Sequence, residues 1–219
     1  LPLETPQGLS LTAIVERDEP RDALISRSGQ MLDELPPGSR IGTSSLRRRS
    51  QLLQRRSDLH MSDIRGNVDT RLRKLDDGQY DAIVVAACGL IRLGLEDRIT
   101  EYLPFDVMLP EPGQGALAVE TRAADDETNT LVSRLEHPES RTCVEAERAF
   151  LRALGGGCRV PIAAYASCEQ GELALEGAVI AADGHAHVRG NMTGSITEPI
   201  ALGERLAAHV TSQGAKALL

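Results

Sequence analysis

Three arginine-bearing segments and one glycine-flanked cysteine hold the residue types that could do chemistry. In IGTSSLRRR, the hydroxyl residues Thr43, Ser44 and Ser45 stand between a short apolar stretch and a run of arginines. A strand end meeting a helix start there would aim free backbone N–H groups and the positive end of the helix dipole at an anion. The hydroxyls add donors, and Arg47 and Arg48 can each clamp a carboxylate through paired N–H bonds. IRGNVDTR repeats the arrangement, with Arg65 at a strand end, Gly66-Asn67 turning the chain and Arg71 in the first helical turn. CGLIRLGL brings Arg92 just beyond the end of a third strand. An ordinary Ser/Thr cap with solvated arginines competes as a reading of the first segment, but three strand ends on one rim point to a ligand bearing several carboxylates or phosphates.

In LGGGC, three glycines precede Cys158 and let the backbone bring its thiol close to something bulky, while Arg159 favours the thiolate. Cys88 in an apolar strand, Cys143 and Cys168 read instead as buried, inert thiols. His185 and His187 alternate onto one strand face but lack a third ligand nearby, so no metal site is expected. Neither a GxxxxGKS loop nor a Ser-His-Asp arrangement is legible.

These side chains need an α/β layer to bring them together. A strand is expected over Leu9 to Val15, DEPRD as a turn, and then a connector ending at Pro36-Pro37-Gly38. A strand at Arg40 to Gly42 leads into a helix capped by Thr43 or Ser44, with apolar positions at Leu46, Leu52 and Leu53. A strand at Met61 to Arg65 precedes a helix that Asp69 or Thr70 caps and Gly78 closes. YDAIVVAACGL reads as a buried strand, apolar through Ile83 to Ala87. Strand and helix alternation of this kind predicts a parallel sheet, whose strand ends face one ligand crevice. PEPGQG looks like a crossing point, GALAVE a strand, Glu139 to Leu154 a helix, and the remainder a small α+β unit with strands in ELALEGAVIA and HAHVRGNMTG and a helix near Ile200 to Thr211.

Composition narrows the function classes. The 219 residues are 41% apolar and 26% charged, enough to bury a core and too apolar for disorder. Five aromatic residues leave few stacking platforms for single-stranded nucleic acid, and a net charge of −8 opposes a general polyanion binder. The charge is uneven. From Arg40 to Arg98, eleven arginines and one lysine face eight acids, a local balance of +4. No run of eighteen apolar residues exists, so no membrane partner is expected. Four cysteines without CxxC spacing fit a reducing cytoplasm. The opening LPLETPQGLSL has no signal-peptide layout and no initiator Met, which suggests a chain lacking its natural beginning.

GTSSLRR, IRGNVDTR, AACGLIRLGL, PEPGQGALAVE and LGGGCRVPIAAYA occur in this order, with ERDEPRDALIS near the start, and together they closely resemble the porphobilinogen deaminase (hydroxymethylbilane synthase) family over essentially the whole chain. The resemblance implies an α/β protein with two domains arranged like the halves of a periplasmic binding protein, plus a small C-terminal α+β domain. It assigns 1–19 and 111–135 to a remnant of domain 1, 20–110 to an anion-binding domain 2, and 136–219 to domain 3 with the cofactor-attachment loop. The family joins four porphobilinogen molecules into hydroxymethylbilane, in tetrapyrrole synthesis, on a dipyrromethane cofactor held by thioether to the cysteine that is Cys158 here. By resemblance, Thr43, Ser45, Arg47, Arg48, Arg65 and Arg71 bind the cofactor, and Arg92, Arg71, Arg65 and Gln114 meet the substrate. It also implies a cytoplasmic monomer without metal or nucleic acid.

Two departures stand out. The family's HSLKD-type motif, whose Asp stabilises pyrrole cations, aligns just upstream of Leu1, so no catalytic residue is expected within the 219 residues. Glu111 replaces a more usual Ala, with little effect expected. The alternative to an active enzyme is therefore a non-catalytic fragment that binds an oligo-carboxylate pyrrole chain.

Overall fold

The computed structural model describes residues 5–156 and 160–219. Its strands form three sheets among the described residues. A two-stranded antiparallel ribbon pairs β1 (Leu9–Ile14) with β7 (Ala118–Arg122). The five-stranded sheet holds β2 (Asp22–Ser26), β3 (Arg40–Gly42), β4 (His60–Ser62), β5 (Ala82–Ala86) and β6 (Glu101–Tyr102) in the order β4-β3-β5-β2-β6. The third sheet is an antiparallel meander of β8 (Ile162–Glu169), β9 (Glu172–Ile180) and β10 (His187–Ser195).

The wholly parallel layer expected from the sequence is corrected here. β3 runs parallel to β4 and β5, but β2 lies antiparallel to both β5 and β6. β2 falls in the stretch read as a turn and connector. Its five residues DALIS are all buried, so no alternation marks them, and the terminal Asp and Ser mimic a turn. The apolar run after Asp81 also divides differently. The strand stops at Ala86 and a short helix α3 (Ala87–Ile91) follows, so Cys88 lies in a helix rather than in a strand. A short, wholly apolar stretch cannot separate buried strand from buried helix by periodicity.

The remaining helices follow the predicted spacing closely. They are α1 (Leu46–Arg55), α2 (Val68–Asp76), α5 (Pro138–Ala153) and α6 (Pro199–Ser212). The ribbon continues into α4 (Asp126–Val132), which carried no clear signal.

Two apolar clusters sandwich the five-stranded sheet. Leu24, Ile41, Leu52, Val84 and Met108 fill one face, and Ile25, Ile64, Leu72, Leu75 and Ile83 the other. A third cluster packs α5 and α6 on the meander around fully buried Phe150. Each such large side chain contributes roughly 1.5–3 kcal/mol when withdrawn from water. α5 and α6 approach so closely that a Cβ on Gly203 would collide with the Ala146 carbonyl. Leu109 joins Ala163, Ala178 and Ile180 in a small cluster that seats the end of the five-stranded unit on the meander.

Candidate functional site

Three parallel strands deliver their carboxyl ends to one edge, where each chain turns into a helix. After β3 the loop Thr43–Ser45 enters α1, after β4 the loop Asp63–Asn67 enters α2, and β5 passes directly into α3. Ser44 ties the first two loops, its hydroxyl donating to the Ile64 carbonyl (2.8 Å) and accepting from the Ile64 N–H (3.1 Å). Ser45 is the N-cap of α1, accepting from the Arg48 N–H, and Asn67 is the N-cap of α2, accepting from the Thr70 N–H at 3.0 Å. The caps expected at Thr43 or Ser44 and at Asp69 or Thr70 are therefore each displaced. Ser45 and Asn67 have the extended backbone that a cap requires, whereas Asp69 and Thr70 already lie within the first helical turn. Thr43 is buried, and its hydroxyl accepts from the Ser45 N–H.

The arginines differ sharply in surroundings. Arg47 is only 3% exposed, and its Nη1 donates to Asp22 Oδ2 (2.7 Å) and to the Leu109 carbonyl (2.6 Å). Arg48 reaches the other oxygen of the same carboxylate, Nη2 to Oδ1 at 2.8 Å. Burial works against the charged form of Asp22, but the two guanidiniums outweigh it and hold its carboxyl below the usual range. Two cations thus share one anion. The Nε of Arg47 is buried with no partner among the described residues. Arg71 is half-buried and donates to the Gly66 carbonyl (2.8 Å), and burial together with the charge of Arg48 pushes its pKa down. Arg65 is exposed and lies three residues beyond the end of β4 rather than at it. Arg92 is exposed, directly after α3, and binds Asp18 (2.7 Å) and the Gly115 carbonyl (2.7 Å).

Behind this edge the chain crosses between units twice, at residues 15–22 and 109–117. The two crossings bond through Val15 N–H to the Leu117 carbonyl (3.0 Å) and Asp18 N–H to the Gly115 carbonyl (3.2 Å). Gly115 has φ +90°, and a Cβ there would stand 2.6 Å from the Asp18 oxygen, so the crossing admits no side chain. The Gln114 side-chain amide donates to the Pro20 carbonyl (2.7 Å) and Asp22 Oδ1 (3.1 Å), while its oxygen faces Arg47 and Arg48 at 3.3 and 3.5 Å. Arg17 donates to the Gln114 carbonyl (2.9 Å) and pairs with Glu147 of α5 at 2.5 Å. Glu147 is fully buried. Burial pushes its carboxyl up, opposed by Arg17 and by the N–H groups of Gly113 (2.6 Å) and Ala166 (2.8 Å).

Sequence reasoning missed Arg17, Asp22 and Glu147. Their partners lie 130 positions away for Arg17 and Glu147, and 25 for Asp22 and Arg47, so no local pattern marks them. Cys158 and Arg159 lie outside the described residues. Among the described residues no group of three His, Cys, Asp or Glu could hold a metal, and His187 contacts Gln54 instead. None of the described helices is long and apolar enough to cross a membrane.

Comparison with known proteins adds three findings. A family model described as porphobilinogen deaminase, dipyromethane cofactor binding domain, matches residues 1–130, and the C-terminal domain model of the same family matches 141–211. The porphobilinogen deaminase of Roseiflexus castenholzii is 52% identical over the whole chain, which covers 72% of that protein. The corresponding proteins of Pelotomaculum thermopropionicum and Thermus thermophilus are 49% and 48% identical, with 70% and 73% of their lengths covered.

Proposed function

The chain belongs to the porphobilinogen deaminase family, and on that premise we propose that the strand-end loops of its five-stranded sheet hold the carboxylates of a growing pyrrole chain. The activity is the deamination and head-to-tail joining of four porphobilinogen molecules into hydroxymethylbilane, on a dipyrromethane cofactor. Each pyrrole carries an acetate and a propionate, so cofactor and product are strongly anionic.

The observation that carries the site reading is the surplus of positive charge around Asp22. Arg47 and Arg48 share one carboxylate, the buried Arg47 Nε lacks a protein partner among the described residues, and Arg71 is disfavoured by burial and by the charge of Arg48. A bound carboxylate compensates all three. Dipyrromethane fits this donor set, and when bound it supplies the nucleophilic pyrrole carbon on which the chain is built. Thr43, Ser45, Arg47, Arg48, Arg65 and Arg71 are assigned to cofactor carboxylates, Arg65, Arg71 and Arg92 to those of incoming substrate, and Cys158 to the thioether. Gln114 has both ends of its amide engaged, which supports action through the arginines it holds rather than by touching substrate.

Ammonia loss leaves a cation on the substrate methylene carbon, and a fixed carboxylate beside it lowers that barrier. Arginines have the wrong sign, Asp22 is bound to two guanidiniums, and Asp18 to one. On this reading the catalytic carboxylate is assigned to the family's HSLKD-type segment, and the 219 residues alone are expected to be inactive. Porphobilinogen consumption by these residues alone would overturn that assignment; restoration on adding the segment supports it. The division into 1–19 with 111–135, 20–110 and 136–219 is supported by the sheets, each of which falls inside one of these parts. Action as a cytoplasmic monomer belongs to the same reading.

The site reading is tested with Arg71→Leu and Arg98→Leu in enzyme that carries the complete catalytic segment. Arg98 pairs with Asp76 at the far end of α2. Loss of a charge-assisted carboxylate contact weakens binding roughly ten- to a hundredfold. Arg71→Leu should impair cofactor assembly, read as the dipyrromethane colour with Ehrlich's reagent, and Arg98→Leu should not. Equal, negligible effects would mean that the arginines are merely solvated.

A further inference from the structure

Cys143 and Cys168, read from the sequence as two unrelated inert thiols, stand with their sulfurs 3.5 Å apart. Cys143 lies on α5 one turn before Glu147, and Cys168 lies on β8 two residues after Ala166, whose N–H binds Glu147. The sulfur pair and the Glu147–Ala166 bond are thus adjacent rungs between the same helix and strand. Cys143 is buried, and burial, with the Cys168 sulfur beside it, pushes its thiol up. Cys168 is half-buried, the more open of the two residues.

We propose that Cys143 and Cys168 form a reversible dithiol–disulfide pair that, when oxidised by a peroxide, clamps α5 to β8. The Cys168 thiol gives up its proton as its sulfur attacks one peroxide oxygen, the O–O bond breaks, the sulfur becomes a sulfenic acid, and the departing hydroxide takes up that proton as water. The Cys143 sulfur then displaces the sulfenic hydroxyl, which departs as a second water carrying the Cys143 proton. Two thiols lose two electrons and hydrogen peroxide gains them. Bond formation needs the sulfurs to close from 3.5 Å to roughly 2 Å. The crosslink encloses the stretch that contains Cys158, and it pins the helix whose Glu147 holds the chain crossing. Such a bond in a reducing compartment is transient and responds to redox conditions.

The test uses enzyme carrying dipyrromethane, in which the Cys158 thiol is already consumed as a thioether. After treatment with hydrogen peroxide, the protein should lose two hydrogens, and a non-reducing digest should contain a peptide joining Cys143 to Cys168. Dithiothreitol should restore the starting mass, and the thermal midpoint should rise on oxidation and return on reduction. Cys168→Ser should abolish the crosslinked peptide. Cys168 recovered as sulfinic acid beside a free Cys143 thiol, either sulfur joined to another cysteine, or no change in mass would overturn the proposal. The wild-type digest decides the question even if the variant fails to fold.

Discussion

Asp22 has no contact with solvent, yet Arg47 and Arg48 of the first turn of α1 keep its carboxylate charged. Removing one partner from a buried ion pair strands the other charge, at a cost of about 3–5 kcal/mol. Asp22→Asn should therefore lower stability by about that amount in urea unfolding, and lose the dipyrromethane colour even where protein remains folded. The pH dependence has a definite sign. The folded-state pKa of Asp22 is depressed, so its contribution is fully present above the unfolded carboxylate value of about 3.9 and disappears as pH falls through the lower folded value. Between pH 5 and 8 the wild-type and variant curves should run parallel, converging only in acid. Convergence at neutral pH would mean that Asp22 is already protonated there.

At the scale of elements, α1 and α2 begin at the strand ends where the anion site is proposed, so their caps bear on that reading. Asn67 accepts from the Thr70 N–H, while Asp69 sits one position past the start of α2. Asn67→Ala should cost about 1 kcal/mol, and Asp69→Ala less, since it interacts only with the helix dipole. Chemical denaturation of the two variants checks the order; the reverse order would return the cap to Asp69. Helices α1, α2, α5 and α6 were legible because 3.6-residue spacing and glycine stops are local signals. β2 was not, because a strand buried on both faces in mid-sheet has no alternation and its partner β5 lies some sixty positions away. β8 was lost for a similar reason, since its first residues, Ile162 to Ala164, are all buried and show no alternation.

For the whole molecule, the Arg17–Glu147 pair ties the crossing segments to the C-terminal unit, with Gln114 carrying the connection on to Asp22. Arg17→Leu leaves Glu147 buried without its cation and should destabilise by about 3–5 kcal/mol. In a double-mutant cycle with Glu147→Gln, the coupling should be about 0.5–3 kcal/mol, because each change removes the same contact. Additive effects would mean that the two residues act independently. The same pair explains how a change far from the strand ends can disturb them, since Gln114 bonds to the arginine cluster by its side chain and to Arg17 by its backbone.

What the sequence by itself determined was local and cumulative. Hydroxyl and arginine residues at successive strand-to-helix turns pointed to an oligo-anion site, and five ordered motifs were specific enough to name the family. The tertiary structure decided which arginines are buried and which are open, that β2 runs against its neighbour, and that two distant cysteines touch. Those outcomes depend on pairs of residues far apart in the chain, whose contact is set by how the sheets pack. A single sequence records each partner's type but not which distant partner it meets.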